Sequence, residues 1–517
     1  MDNKNKFGAL QFIKNIVSNG GLFVINTVIS FWFTPYLLRS LGSEHFGFIP
    51  LVNSVVNYFG IITLSLNAST GRYLMIELER EDDEKSNQIF NTSLVGILAM
   101  ILVAIPVGAL LVYYASDIFQ VPVDSKRDIQ FLLIGSLFAF FLTTLRSGFS
   151  IASFSQNRFD LRNMLSFMGR LGQVGIVLLL FTIDQPNLIY VGTGIIVVSL
   201  ISLMGDLYLW KKLLPVLKIK LGMFNKDLFK DMLGTNFWML INRIGFLIFM
   251  NIEMIVANRY FSLSMAGMYG ALLTIPNNLR TIANTVSGVW GPLIISKYGR
   301  DDISGIDRVA KTSIKLVGLA IALPIGFVSG VSGEFLGFWI GTEDIALKWV
   351  AVVMAFNILI NTVTLPLTAI FRAMNKVKIP AVITGLTGIV YFIVSILLAK
   401  QFGEIGLAAA GGIVLSFRNI FFVSIYSAFL MKKKWWHYLV NLIQSPIITI
   451  IVALISYCLM QIVEVQNFLE LLVVGGVISI IYGICAYKFG LSQNEKDTIL
   501  GIVKQKTRRI YDKKNEK

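Results

Sequence analysis

An all-α polytopic membrane protein with about 14 transmembrane helices is the fold class this sequence predicts, since about 20 apolar residues make one crossing. Composition, run length and the placement of basic residues point to it. Hydrophobic residues make up 55% of the 517 positions and charged residues only 15%, with a mean hydropathy of +0.71. A soluble chain carries about 25% charged residues, and its apolar runs rarely last the length of a crossing. Nothing in a bilayer core of about 30 Å can satisfy a stray backbone group, so spans are helices or a closed barrel. A barrel alternates in segments of about ten residues. These runs are continuous, which selects helices.

The spans centre on residues 28, 57, 101, 140, 173, 199, 245, 277, 321, 358, 390, 417, 450 and 478. Lys4, Lys6 and Lys14 precede an apolar run that starts near Val17. That run is too long for a signal-peptide core and has no small-residue cleavage site, which predicts an uncleaved first helix. Span one carries Asn19, Asn26 and Ser30, and span two carries Asn53, Asn57 and Asn67. A charged stretch (IELEREDDEKSN) follows Tyr73. Span four carries Thr143, Arg146, Ser147 and Ser150, and a basic stretch runs from Lys211 to Asp231 after span six. Neither stretch is long enough for a separate domain. Span seven carries Asn236, Asn242, Arg243 and Glu253, and span eight carries Asn277, Arg280, Asn284 and Ser287. Span ten carries Asn357, Asn361, Thr364 and Thr368 and ends at Arg372, while Arg418 lies in span twelve. The two cysteines, Cys458 and Cys485, sit in the last apolar runs as packing thiols, with no disulfide framework and no metal-ligand spacing.

Basic residues fix the topology through the positive-inside rule. With an even number of spans both termini share a side, and that side collects 33 of the 45 Lys and Arg. The opposite side has six: Arg39, Lys126, Arg127, Arg259, Lys348 and Lys400. Both termini are therefore expected in the cytoplasm, and the net charge of +15 needs no nucleic acid to explain it. The tail (VKQKTRRIYDKKNEK) reads as a basic topogenic end that could also hold anionic lipid. The turns RSLGSEHFGF (39–48) and RYFSLSMAGM (259–268) share an Arg-to-Gly spacing of eight, and the same offset of 220 lays Asn57 over Asn277. This suggests a repeat of six helices with parallel topology. The expected organisation is an N-terminal bundle (1–215), a C-terminal bundle (216–431), two extra helices (432–490) and a basic tail (491–517).

Six basic residues fall within spans: Arg146, Arg170, Arg243, Arg280, Lys315 and Arg418. Arg170 and Lys315 lie near cytoplasmic ends and can snorkel. The other four are deep. Each costs about 2.5–3.5 kcal/mol at a helix centre, so such residues face a partner or a water-filled cavity. Four guanidiniums against two acids, Asp206 and Glu253, leave a net positive interior that calls for an anion. Guanidinium geometry suits phosphate oxygens, and a lining of Asn, Ser and Thr suits sugar hydroxyls. The plainer reading of the small polar stripes is helix–helix hydrogen bonding. Arg146, Arg243, Arg280 and Arg418, with Asn57, Asn242, Asn277, Asn284, Asn357 and Asn361, are thus candidate substrate-binding residues for a phosphorylated glycan. Glu253 is a candidate ion-coupling carboxylate, or else the partner of an arginine on another helix. His45 and His437 lie in or beside loops. No catalytic motif, phosphate-binding glycine loop, metal cluster or cofactor site is evident, which predicts a non-enzyme. A membrane glycan polymerase or acyltransferase, and a scaffold for glycan assembly, are the readings from other classes.

The sequence also resembles the Wzx-type polysaccharide flippases, of the superfamily that includes MATE exporters and lipid II flippases. Three places carry the resemblance: SNGGLFVINTVISFWFTPYLLRSLGSEHFGF (18–48), ASTGRYL with Arg72, and NIEMIVANRYFSLSMAGMYGALLTI (251–275). Where the family pattern usually has Asp, this chain has Glu253. The resemblance implies two six-helix bundles around a central cavity that opens to each side in turn. It implies an undecaprenyl-diphosphate-linked oligosaccharide as cargo, moved across a bacterial cytoplasmic membrane for a surface polysaccharide such as O-antigen. H+ or Na+ would be the coupling ion, and other membrane proteins of polysaccharide assembly further partners. A cation-coupled multidrug antiporter of MATE type is the alternative.

Overall fold

A computed structural model describes residues 2–60, 70–71, 73–119, 121–122, 125–234 and 237–493. Asn67, Arg72, Asn236 and the basic tail from residue 494 lie outside these described residues. All regular structure among them is helical. Among the described residues, eleven helices are long and apolar enough to cross a membrane.

In chain order the main helices are α1 (Asp2–Phe46), α2 (Phe48–Phe59), α3 (Asp83–Tyr113), α4 (Lys126–Ser155), α5 (Phe159–Ile183) and α6 (Leu188–Leu213). Then come α7 (Lys226–Gly234), α8 (Phe237–Tyr260), α9 (Leu263–Leu272), α10 (Thr274–Gly288) and α11 (Trp290–Tyr298). The last are α12 (Ile303–Gly330), α13 (Ser332–Ile340), α14 (Ile345–Val363), α15 (Lys378–Phe417), α16 (Gln444–Met460) and α17 (Phe468–Cys485). Polar caps set several starts. Asp82, Asn187, Asp302, Asp344 and Asn467 each accept from a backbone N–H in the first turn of the helix they precede. Glycine sets two breaks. Gly42 (φ 78°, ψ 159°) interrupts the end of α1 inside the expected first turn, and Gly403 (φ 60°, ψ −141°) divides α15 between spans eleven and twelve.

One expected span is built differently. Span eight is not one long apolar helix but three short ones, α9, α10 and α11, with turn residues at Leu273 and Val289. The reason is local, because α10 reads TIPNNLRTIANTVSG and is too polar for an apolar crossing.

The chain divides into two compact units, residues 1–271 and 272–517. In the first, α6 lies along α4 and α5, and its aromatic core stacks Phe90 on Trp210 at 5.6 Å with Phe149 beside them. Asn87 and Asn91 on α3 pin the extended segment after α6. Their amides donate to the carbonyls of Val216 and Lys218 and accept from the N–H groups of Lys218 and Lys220. In the second unit α12 packs on α14 and α16. A Cβ added at Gly326 would come within 2.7 Å of Thr449 O, so α12 and α16 approach as only small residues permit.

The first unit also joins the two related turns. The hydroxyls of Ser43 and Ser264 share a hydrogen bond of 2.6 Å. Gly47 faces Gly267 so closely that a Cβ on Gly47 would sit 2.9 Å from Gly267 Cα. Gly47 and Gly267 are also the positions that the offset of 220 lays over one another.

Candidate functional site

Exposure separates two kinds of outward face. On α3 the exposed side chains are apolar, among them Leu102, Val103, Val107 and Leu110. On α17 they include Leu472, Val473, Ile480 and Ile484. Such faces suit lipid. α2 is inverted: its exposed residues are Asn53 and Asn57, one turn apart, while Leu51, Val52, Val55, Val56 and Phe59 are buried. α10 is inverted too, exposing Asn277, Thr281, Asn284 and Thr285 on one stripe and burying Ile275, Leu279 and Ala283. Along α8 between Leu240 and Asn258, Arg243 is the exposed residue. Amides and a guanidinium on the outward face of a helix at membrane depth require water or a polar ligand. This is the reverse of lipid packing.

In the first unit, Asn57 donates to Asn251 Oδ1 at 3.0 Å, and the buried Asn251 donates to the Leu247 carbonyl. Arg243 lies over the Phe246 ring, 4.8 Å from its centroid. No ion pair involving Arg243 occurs among the described residues. Asn242 is half-buried on the same helix. Glu253, ten residues along, accepts from the Tyr269 hydroxyl at 3.3 Å. Arg146, expected to face a partner or a water-filled cavity, meets a partner. Its Nε donates to Asp206 Oδ2 on α6 in a close ion pair, so the charge is balanced by a carboxylate with no side-chain exposure.

In the second unit, Arg280 donates to Asn277 Oδ1 at 3.2 Å, one turn back on α10, and Asn284 stands exposed a turn further on. Asn357, Asn361 and Arg418 join a separate network between α14 and α15. Asn357 donates to the Ala408 carbonyl, Asn361 to the Asn357 carbonyl, and Asn419 to Asn361 Oδ1 at 2.9 Å. Arg418 opens a π-helical turn (Arg418–Ser424), donating to Asn419 Oδ1 at 3.1 Å and Thr384 Oγ1 at 2.8 Å. Its partners are neutral, and its Nε is buried without an acceptor among the described residues. A π turn widens the helix locally and recurs at functional sites.

Four participants escaped sequence reasoning: Asn251, Thr384, Asn419 and the role of Asp206. Asn419 adjoins Arg418 and Asn251 opens the NIEM motif, so sequence signals for both existed. Nothing in one dimension ties Thr384 to Arg418 or Asp206 to Arg146. Arg170, expected to snorkel, donates to Gln173 Oε1 and lies over Phe33. No His, Cys, Asp or Glu cluster among the described residues could hold a metal ion.

A family model described as "Polysaccharide biosynthesis protein" matches residues 12–298. The uncharacterized membrane protein EpsK of Bacillus subtilis (strain 168) is 28% identical over 495 residues, which span 95% of this chain and 98% of EpsK. Among solved structures, an inward-facing multidrug resistance MATE family transporter of the MOP superfamily matches with a TM-score of 0.65 at 11% identity. The match covers 83% of this chain and 94% of that one. The lipid II flippase MurJ, in an inward closed conformation, matches with a TM-score of 0.64 at 14% identity, covering 93% and 99%. At these identities the likeness is one of fold.

Proposed function

The chain belongs to the polysaccharide biosynthesis protein family, and from that premise we propose that it is a flippase for undecaprenyl-diphosphate-linked oligosaccharide in a bacterial cytoplasmic membrane. The observation that carries this reading is the inverted amphipathicity of α2 and α10, which turn asparagines and threonines outward where lipid-facing helices turn leucine and valine. A face of that kind suits the hydroxyls of a glycan and the water around it. Arg243 and Arg280 hold the diphosphate, joined by Arg146 when it leaves Asp206. Asn57, Asn242, Asn277 and Asn284 meet sugars. Asn357, Asn361 and Arg418 are further substrate-binding residues in this reading. The polyprenyl tail stays in lipid.

In this reading residues 1–215 and 216–431 form the two bundles of the cycle, with 432–490 as an added pair of helices. Both termini lie in the cytoplasm, as the sidedness of the basic residues requires. Glu253 is the ion-coupling carboxylate, with H+ or Na+ as its ion, and an ion gradient or substrate supply drives the motion.

Reconstitution tests the proposal. Protein is incorporated into liposomes with a labelled undecaprenyl-diphosphate oligosaccharide, and the label is probed with a membrane-impermeant glycosidase. The expected result is that the enzyme reaches the inner-leaflet pool only when protein is present, and that Arg280→Ala reduces this at least tenfold with normal insertion. Cation-driven drug export without glycan movement would instead mark a multidrug antiporter. Product formation in detergent, where there are no sides, would mark an enzyme.

A further inference from the structure

The Arg146–Asp206 pair has an unfinished feature. Asp206 Oδ2 receives Arg146 Nε, but the other oxygen, Oδ1, is buried with no hydrogen-bond partner among the described residues. A buried carboxylate oxygen left bare is costly and uncommon, and it asks for an explanation beyond packing. The two partners also differ in access. The Asp206 side chain has 0% exposure and the Arg146 side chain 21%. One turn beyond each, Phe149 and Trp210 pack 5.3 Å apart and with Phe90 close a dry aromatic core. On the other side, Thr143 is exposed and Ser147 half-buried beside Arg146 on α4. The cation is therefore partly accessible beside that polar face, while the carboxylate is enclosed.

We infer that Arg146 and Asp206 form an exchange site, in which a diphosphate takes the guanidinium from Asp206 and Asp206 takes up one proton. This rests on the flippase reading and names its coupling. The step balances simply. The ion pair between Arg146 and Asp206 opens, a charge-assisted contact forms between Arg146 and phosphate oxygens, and one proton from water joins the carboxylate. No covalent bond between heavy atoms changes. A lone carboxylate in a dry interior neutralises rather than stay charged, and the bare Oδ1 offers the proton its place. Because each event favours the other, ligand binding and protonation are linked, and affinity rises as pH falls.

Among the described side chains, the other charged groups on α1, α4, α5 and α6 are engaged elsewhere, exposed or distant. On α5, Arg170 meets Gln173 and Phe33, and Asp160 meets Arg158 and Gln11. Arg162, also on α5, is exposed. On α6, Lys212 lies over Tyr208 and Lys211 is exposed. On α1, Lys14 is exposed. Lys126, Arg127 and Asp128 begin α4, about 27 Å of helix rise or more from Arg146. Among the described residues, Arg146 is thus the charged partner of Asp206.

The test uses the full chain in nanodiscs, in weakly buffered solution with a pH-indicator dye. Undecaprenyl diphosphate is added in one arm and inorganic pyrophosphate in the other, with binding followed in parallel by calorimetry. Wild type is expected to take up close to one proton per bound ligand in at least one arm, and the responding arm tells whether the diphosphate must be lipid-borne. Asp206→Asn keeps the shape and an acceptor for Arg146. It is expected to bind at least threefold more tightly, with no proton uptake beyond the ligand's own and no pH dependence arising from this site. The double variant Arg146→Gln with Asp206→Asn removes both charges, so it tests the same point should the single variant fold poorly; it too is expected to show no uptake. Binding by wild type without proton uptake, or uptake that persists in either variant, overturns the exchange alone. No binding by wild type in either arm overturns the flippase reading, and the exchange with it.

Discussion

Replacing Gly47 with alanine should destabilise the protein through the contact between the two related turns. The new Cβ would stand 2.9 Å from Gly267 Cα and 3.0 Å from Gly267 N. Carbon atoms pack at about 3.5–4.0 Å, so the turns must part by roughly 0.6–1.1 Å. Both obstructing atoms are backbone, and no rotamer change relieves them. A parting of that size stretches the 2.6 Å bond between Ser43 and Ser264 beyond good geometry. Overpacking of this kind costs about 1–3 kcal/mol and a lost hydrogen bond about 0.5–1.5, against about 0.4–1 recovered because alanine restricts the unfolded chain. The net expectation is a loss of about 0.5–4 kcal/mol. Equilibrium unfolding by SDS in mixed micelles, followed by far-UV circular dichroism, measures it. Gly175→Ala is the control. Gly175 lies inside α5 with nothing within 4 Å of its added Cβ, and it should be neutral or gain up to about 1 kcal/mol. A Gly47→Ala protein as stable as Gly175→Ala would refute the close crossing.

Three further outcomes follow from named contacts. Gly412→Ala places its Cβ on Asn357 Oδ1, far inside contact, and should cost about 2–3 kcal/mol by expelling that amide from the Ala408 carbonyl. Asn357→Ala in the same chain should recover more than half of the loss, and additive losses in a double-mutant cycle would contradict the packing. Asn91→Ala removes both side-chain bonds to residues 218–220. Amide hydrogen exchange at Lys220 should accelerate at least tenfold, and unchanged exchange would show that the segment is held by other means. Ser43→Cys with Ser264→Cys, with Cys458 and Cys485 replaced by serine, should form a disulfide across the related turns. The oxidised protein should lose liposomal glycan transfer and regain it on reduction, and full transfer in the oxidised state would show that these turns need not separate.

The candidate site was legible in part, and where it failed the reason was the same each time. Polar residues at helical spacing marked the stripe of α10, because offsets of three and four share a face whatever the helix packs against. Asn57 stood out as part of the polar stripe of span two and by its place over Asn277 at the offset of 220. The identity of its partner, Asn251, did not follow, since the two are 194 positions apart. Arg146 and Arg418 show the limit more sharply. Both are lone arginines in apolar runs, yet one meets a buried carboxylate and the other only neutral groups.

Sequence by itself determined the helical, membrane-spanning class and the approximate place of most spans. These are decided by hydrophobicity and backbone satisfaction along a continuous stretch of chain, with no knowledge of neighbours. Only the tertiary structure decided which arginine is balanced, that Gly47 abuts Gly267, and that α2 and α10 turn their amides outward. Those depend on which helices lie side by side, and pairing between distant segments is a property of packing that no local run of residues encodes.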